Sequence, residues 1–159
     1  MGDRVASDAD LDGSGLRIGI CCGRFNRHIT DRLLEGARRG LSDHGVAEAD
    51  TIVVWAPGAY ELPLVAQHLL EGWAADAVIA LGAVIRGETG HYDLVAGECA
   101  AGLQRVQLDT GRPVVFGVLT TENDQQALER SSDDDNKGHE AVETAIEMVN
   151  LLKSLSGGP

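Results

Sequence analysis

The sequence predicts a single-domain three-layer α/β sandwich around a four-stranded parallel sheet, and three observations carry that reading. Four short apolar runs of strand length alternate with segments in which apolar residues recur at helical spacing. One of those runs, residues 77–85, is almost wholly apolar, the pattern of a parallel strand buried on both faces. The connections are long enough for helical crossovers, which are right-handed in such sheets.

Taken in order, the first strand is expected over residues 16–22, followed by the turn Gly23-Arg24-Phe25-Asn26. Ile29, Leu33, Leu34, Ala37 and Leu41 then repeat at helical spacing, which predicts a helix over 28–44 with Gly45 at its C-cap. A second strand, 51–56, runs into Pro57-Gly58-Ala59-Tyr60-Glu61-Leu62-Pro63, and a helix is expected over 64–72. The third strand, 77–85, ends in the polar turn Arg86-Gly87-Glu88-Thr89-Gly90-His91, and a helix over 92–108 follows. Residues 109–113 are turn formers, 114–119 the fourth strand, and helices over 124–130 and 138–155 close the chain. No internal repeat or domain boundary interrupts this order. One domain over 16–159 is expected, preceded by a disordered acidic tail, 1–15.

A chain of 159 residues can bury a core without disulfides or a structural metal. Its formal net charge is −12, from 25 acidic and 13 Lys and Arg side chains, which argues against nucleic acid or an anionic membrane surface as partner. Cys21, Cys22 and Cys99 form no paired motif, so neither a disulfide framework nor a zinc site is indicated and a reducing, cytoplasmic setting is expected. The first fifteen residues hold four Asp and no apolar core of a signal peptide. Asp8 to Gly13 reproduces half of a calcium loop, yet Gly19 stands where the bidentate Glu belongs and a strand follows instead of a helix. A solvated tail is the better reading.

In open parallel sheets ligands collect outside the carboxyl ends of the strands, and all four turns at those ends carry unusual residues. His91 can exchange protons near neutral pH, with Glu88 and Asp93 as neighbours that could orient it and Gly87, Thr89 and Gly90 exposing backbone N–H groups to an anion. The alternative is an exposed helix-start residue. His28, His44, His68 and His139 fall in helices or their flanks and read as structural. Among only six aromatic residues, Phe25, Tyr60 and Phe116 are placed near the carboxyl ends of three strands, where they would make a platform for a flat ring. Trp55 and Trp73 read as core or interface residues. Glu61 is either an acceptor for ligand hydroxyls or a favourable charge at a helix N-terminus. Arg130 is either a phosphate fork or an ordinary cation closing a helix, with Lys137 the only other positive charge nearby in sequence.

These residues closely resemble the lumazine synthase family of riboflavin biosynthesis. The matching segments are Gly23-Arg24-Phe25-Asn26, Pro57 to Pro63, Leu81 to Asp93, Phe116 to Asn123 and Asn136-Lys137-Gly138, in the family's order and spacing. The resemblance implies a flavodoxin-like fold and a cofactor-free condensation of 5-amino-6-(D-ribitylamino)uracil with 3,4-dihydroxy-2-butanone 4-phosphate to 6,7-dimethyl-8-ribityllumazine, phosphate and water. On the matched positions Phe25 would stack on the pyrimidine, with Ala59, Tyr60, Glu61, Ala83, Val84, Ile85 and Phe116 around it. Glu88, Thr89 and Arg130 would hold the butanone phosphate, and His91 would shuttle protons. The resemblance further implies a homopentamer with active sites shared between subunits, a sixty-subunit shell of pentamers in some members, and association with riboflavin synthase. Tyr60 stands where Phe is usual, Gly90 loosens a turn, and the 131–135 loop is one residue shorter than the common form. The rival reading is a non-catalytic homologue that binds riboflavin or FMN or forms shells. A flavodoxin's Ser/Thr-rich phosphate loop and a receiver domain's acidic pair are both missing after the first strand, where Cys21, Cys22, Gly23 and Arg24 stand.

Overall fold

The computed structural model describes residues 9–156. Its elements run β1 (Ile18–Gly23), α1 (Arg27–Asp43), β2 (Thr51–Ala56), α2 (Leu62–Glu71), β3 (Ala77–Ile85), α3 (His91–Thr110), β4 (Val114–Thr121), α4 (Asp124–Glu129) and α5 (Lys137–Ser156). Short 3₁₀ turns, Glu48–Asp50 and Ala59–Glu61, precede β2 and α2. The four strands are parallel in the order β2-β1-β3-β4, so the expected sandwich is the observed fold.

Three boundaries differ in ways that bear on the site. Helix α2 starts at Leu62, two residues before its expected start, because Pro63 occupies the first turn, where its missing N–H would have no helical partner anyway. Helix α3 begins at His91 itself. Strand β4 continues to Thr121, since Thr120 and Thr121 still pair with Val84 and Ile85.

One apolar layer joins Ile18, Ile20 and Cys22 of β1 and Ile79 and Leu81 of β3 to α1 and α5. The other joins Cys21, Val78 and Ala80 from the opposite faces of the same strands to α2 and α3. As its apolar run requires, eight of the nine residues of β3 are buried, with Ile85 at its carboxyl end half-buried. Edge strand β2 is half-exposed for most of its length.

Helices α1 and α5 approach closely at one point, and Asn136 fills it. Its Nδ2 donates to the Arg32 carbonyl (3.1 Å), while its Oδ1 accepts from the Gly138 and His139 amides (2.9 and 3.2 Å). Added side chains have no room there. A Cβ on Gly36 would overlap the Asn136 amide, and one on Gly138 would overlap the Leu33 carbonyl.

Residues 1–8 of the expected tail lie outside the described residues. The remainder is fastened to the body, contrary to the expectation of a tail reaching residue 15. The Gly13 amide donates to the His44 carbonyl (2.8 Å), and Asn150 Nδ2 donates to the carbonyls of Asp10 and Asp12 (both 3.0 Å). Gly13 is buried, and a Cβ there would lie 2.7 Å from the His44 carbonyl oxygen. The carboxylates of Asp10 and Asp12 accept from the amides of Asp12 and Ser14 (3.1 and 3.0 Å), closing local turns. Among the described residues no group of three or more His, Cys, Asp or Glu side chains is arranged to hold a metal ion.

Just before β3, at the amino-terminal end of the sheet, Ala74 has a left-handed backbone, φ +57°. It follows Trp73, whose ring lies 3.7 Å under the Arg17 guanidinium and whose carbonyl accepts from Arg17 Nε (2.8 Å). A left-handed conformation disfavours any residue with a Cβ. Ala74→Gly is therefore expected to leave stability unchanged or raise it by up to about 1 kcal/mol. Gly36→Ala is expected to lower it by about 1–3 kcal/mol through overpacking against Asn136. Denaturant unfolding of both variants checks the pair, and the opposite ordering would contradict this account.

Candidate functional site

The turns after β1, β2 and β3 are tied together by bonds that prolong the sheet into its loops. The Arg24 and Phe25 amides donate to the carbonyls of Ala56 and Pro57 (2.9 and 3.1 Å). The Gly23 and Gly58 backbones nearly touch, and a Cβ on Gly23 would lie 3.3 Å from the Gly58 carbonyl carbon. Asn26 has a left-handed backbone, φ +58°, and its Nδ2 donates to the Ala83 carbonyl near the end of β3 (2.9 Å). The three loops therefore form one frame.

That frame borders a cleft of about 780 Å³ outside the carboxyl ends of β1, β2 and β3, closed on its other side by the start of α3. Of the residues expected at the site, Phe25, Ala59, Tyr60, Glu61, Ala83, Val84, Ile85, Thr89 and His91 all line it. Phe25 and Tyr60 are 74% and 62% exposed, so two large apolar faces stand open to a ligand instead of entering the core. Glu88 belongs to the same turn but not to the cleft lining. Sequence reasoning gave no role to Asn26 or to Leu94, Val95 and Glu98, which form the α3 wall. The Asn26 signal was available, since Asn is among the few residues that adopt a left-handed backbone readily.

The turn carrying His91 is braced from outside. The Arg86 amide donates to the Thr121 carbonyl (2.8 Å), and its Nε donates to Glu122 (2.8 Å). Its guanidinium lies 3.5 Å from Asp93 and 4.2 Å above the Tyr92 ring. The His91 amide donates to Thr89 Oγ1 (3.3 Å). His91 is exposed, and no hydrogen-bond partner holds its ring among the described residues.

Phe116 and Arg130 lie elsewhere, which corrects the expectation that Phe116 shares the edge of His91. Phe116 is the third residue of β4, opposite Ala80 in the sheet, and is 44% exposed on this edge strand. With Arg130, Lys137, Glu140 and Thr144 it borders a second cleft of about 320 Å³ between β4 and α5. The two clefts share no residue. Arg130 Nη1 donates to the Gln126 carbonyl (3.0 Å), so its fork is partly used within α4. Within a single chain the aromatic shelf and the cation are thus on separate surfaces.

The three cysteines take no part in either cleft. Burial pushes the Cys99 thiol up to about 11 and Cys22 to about 12, and Cys21 still further. Of the remaining histidines, His28 pairs with Asp124 (2.7 Å), His44 with Glu143 (3.3 Å) and His139 with Asp43 (3.0 Å), while His68 Nδ1 lies 3.1 Å from the Leu64 carbonyl one turn back on α2. Among the described residues no helix is long and apolar enough to cross a membrane.

A protein-family model described as 6,7-dimethyl-8-ribityllumazine synthase matches residues 15–153, nearly the whole chain.

Two outcomes follow from the site's construction. Asn26→Ala loses a hydrogen bond and strains a left-handed backbone, so it should destabilise by about 1–3 kcal/mol. Amide exchange should quicken at Phe25 and Arg24, and unchanged exchange would show that the Ala83 bond does not hold the loop. Near pH 8 no thiol of the native protein should react with an aromatic disulfide reagent, and all three should react in denaturant, because only the thiolate attacks.

Proposed function

We propose a specific reaction from one premise: this chain belongs to the 6,7-dimethyl-8-ribityllumazine synthase family and is a transferase-type enzyme of riboflavin biosynthesis acting on small molecules. The reaction is the condensation of 5-amino-6-(D-ribitylamino)uracil with 3,4-dihydroxy-2-butanone 4-phosphate, giving 6,7-dimethyl-8-ribityllumazine, phosphate and water. The observation that carries it is the larger cleft, where exposed Phe25 and Tyr60 stand beside His91 on a frame of three strand-end loops.

In this reading Phe25 stacks on the pyrimidine, and Ala59, Tyr60, Ala83, Val84 and Ile85 complete an apolar slot for it. Glu61 accepts hydrogen bonds from ribityl hydroxyls. Thr89, with Glu88 beside it, meets the butanone. The primary amine of the pyrimidine attacks the ketone of the other substrate, and water leaves to give an imine. Phosphate is then eliminated to an enol that tautomerises to a ketone, and the ribitylamino nitrogen adds to that ketone and loses a second water to close the ring. Each step moves protons, and His91, on an exposed helix start at the cleft, is placed to carry them.

Arg130 is the cation for the phosphate and Phe116 a further wall, and both lie on the second cleft. A complete site then requires that cleft of one subunit to face the larger cleft of its neighbour. The assembly is a closed homo-oligomer, a pentamer in this reading, built by head-to-tail contacts around a ring. The shell of pentamers and the association with riboflavin synthase are further parts of the proposal, and the shortened loop at residues 131–135 bears on the shell.

Incubating the purified protein with both substrates and following lumazine fluorescence tests the reaction. Absence of product at saturating substrate would favour a binder of riboflavin or FMN. Because much of the acceleration comes from holding two competent reactants together, His91→Ala is expected to lower turnover by roughly 10²-fold or less. A complete loss of turnover with substrate binding intact would contradict that weighting.

A further inference from the structure

Two cations and three carboxylates meet at the second cleft. Lys137 Nζ lies 3.1 Å from Glu140 Oε2, one turn ahead on α5, and 3.3 Å from Asp135 Oδ1 in the preceding loop. Hydrogen bonds to Glu140 and then to Asp135 raise the pKa of this ammonium, so it stays charged while two carboxylates occupy its donors. Arg130 Nη1 has Glu129 Oε2 3.9 Å away. A phosphate ester arriving here meets a cleft whose positive charge is already matched.

The position of Asp135 is built into its loop. Ser132 Oγ accepts from the Asp135 amide (3.1 Å) and donates to the Glu129 carbonyl (3.1 Å). Asn136, the next residue, is buried and clamped between α1 and the start of α5. The carboxylate of Asp135 is thus delivered to Lys137 by a short strap fixed at both ends. Asp133 in the same strap points elsewhere, 3.7 Å from Arg39 on α1. It supplies a control of equal charge a few residues away.

We propose that Asp135 sets the affinity of the second cleft for a phosphate ester by holding Lys137 in competition with the ligand. The proposal rests on the reading of that cleft as the phosphate end of the site. Asp135 acts through Lys137 and touches no reacting atom, so it is an affinity-setting residue. Substrate phosphate displaces its carboxylate from the ammonium, and the displacement weakens binding.

The test compares wild-type protein with Asp135→Asn and Asp133→Asn. Binding of inorganic phosphate is measured by calorimetry, and KM is measured for both substrates. Asp135→Asn should tighten phosphate binding and lower the KM for the butanone phosphate about two- to five-fold, the scale of one exposed ion pair. Its kcat and its KM for the aminouracil should not change, and Asp133→Asn should alter neither constant. The gain should shrink as salt is raised. Equal tightening in both variants, no tightening in Asp135→Asn, or no phosphate binding by any of the three would overturn the proposal. Lack of lumazine formation by the wild type, with phosphate still bound more tightly by Asp135→Asn than by Asp133→Asn, would remove the assigned reaction and leave the role of Asp135 standing.

Discussion

The strand order β2-β1-β3-β4 constrains everything that follows. Helix α1 leaves β1 to pack on one face of the sheet, and α3 leaves β3 to pack on the other. At the carboxyl ends of those adjacent strands no helix crosses, so the fold opens there by topology. The chain does not fill the gap with apolar side chains. It lines it with backbone turns held by the Asn26–Ala83 and Phe25–Pro57 bonds, which leaves Phe25 and Tyr60 uncovered.

The acidity of the chain takes on a more local meaning at the second cleft. A formal charge of −12 argues against extended polyanions, whose binding needs many cations. It does not exclude one phosphate, because fields at short range are set by the nearest few charges. The four Asp among residues 1–15 and the triplet Asp133, Asp134 and Asp135 make up seven of the 25 acidic residues. Of the triplet, one carboxylate reaches Lys137 and another reaches Arg39, so neighbours with the same charge have unlike electrostatic effects. Net charge therefore describes encounter with large partners better than affinity for a small one.

What the sequence disclosed was whatever depends on local periodicity. Strand β3 was plain as an unbroken apolar run, α1 as a 3.6-residue stripe, and the cleft residues as strand-end turns with Gly, Pro and aromatics. What it concealed depends on contacts distant in sequence. Nothing near Asp10 announces that Asn150 will bind its carbonyl, and so a packed segment reads as tail. Nothing near Phe116 distinguishes an edge strand from a central one, since alternation is the same in both and only the sheet order decides. Arg130 reads from sequence either as a phosphate fork or as a cation closing a helix; it stands at the C-cap of α4, and its cleft is defined by β4 and α5 together. Pro63 misled for a different reason: Pro marks turns and first helical turns alike.

The separation of Phe116 and Arg130 from His91 bears on how the proposed two-substrate condensation could gain its rate. If the two clefts belonged to one subunit's site, a loop or lid would have to carry the cation across the edge strand β4, and Arg130 is tied to its own helix by the Gln126 carbonyl. Apposition of two rigid subunits needs no such motion. The frame of loops around Phe25 and the clamp at Asn136 are both fixed by buried or paired backbone groups, so each cleft is preformed within the chain. In the proposed assembly, bringing the two preformed clefts together would fix the relative positions of two bound reactants, and orientation of that kind can supply most of the acceleration for a reaction whose amine and ketone are already competent. In the proposed reaction, assembly would then be the step that creates the catalyst, with proton transfer by His91 a modest addition to it.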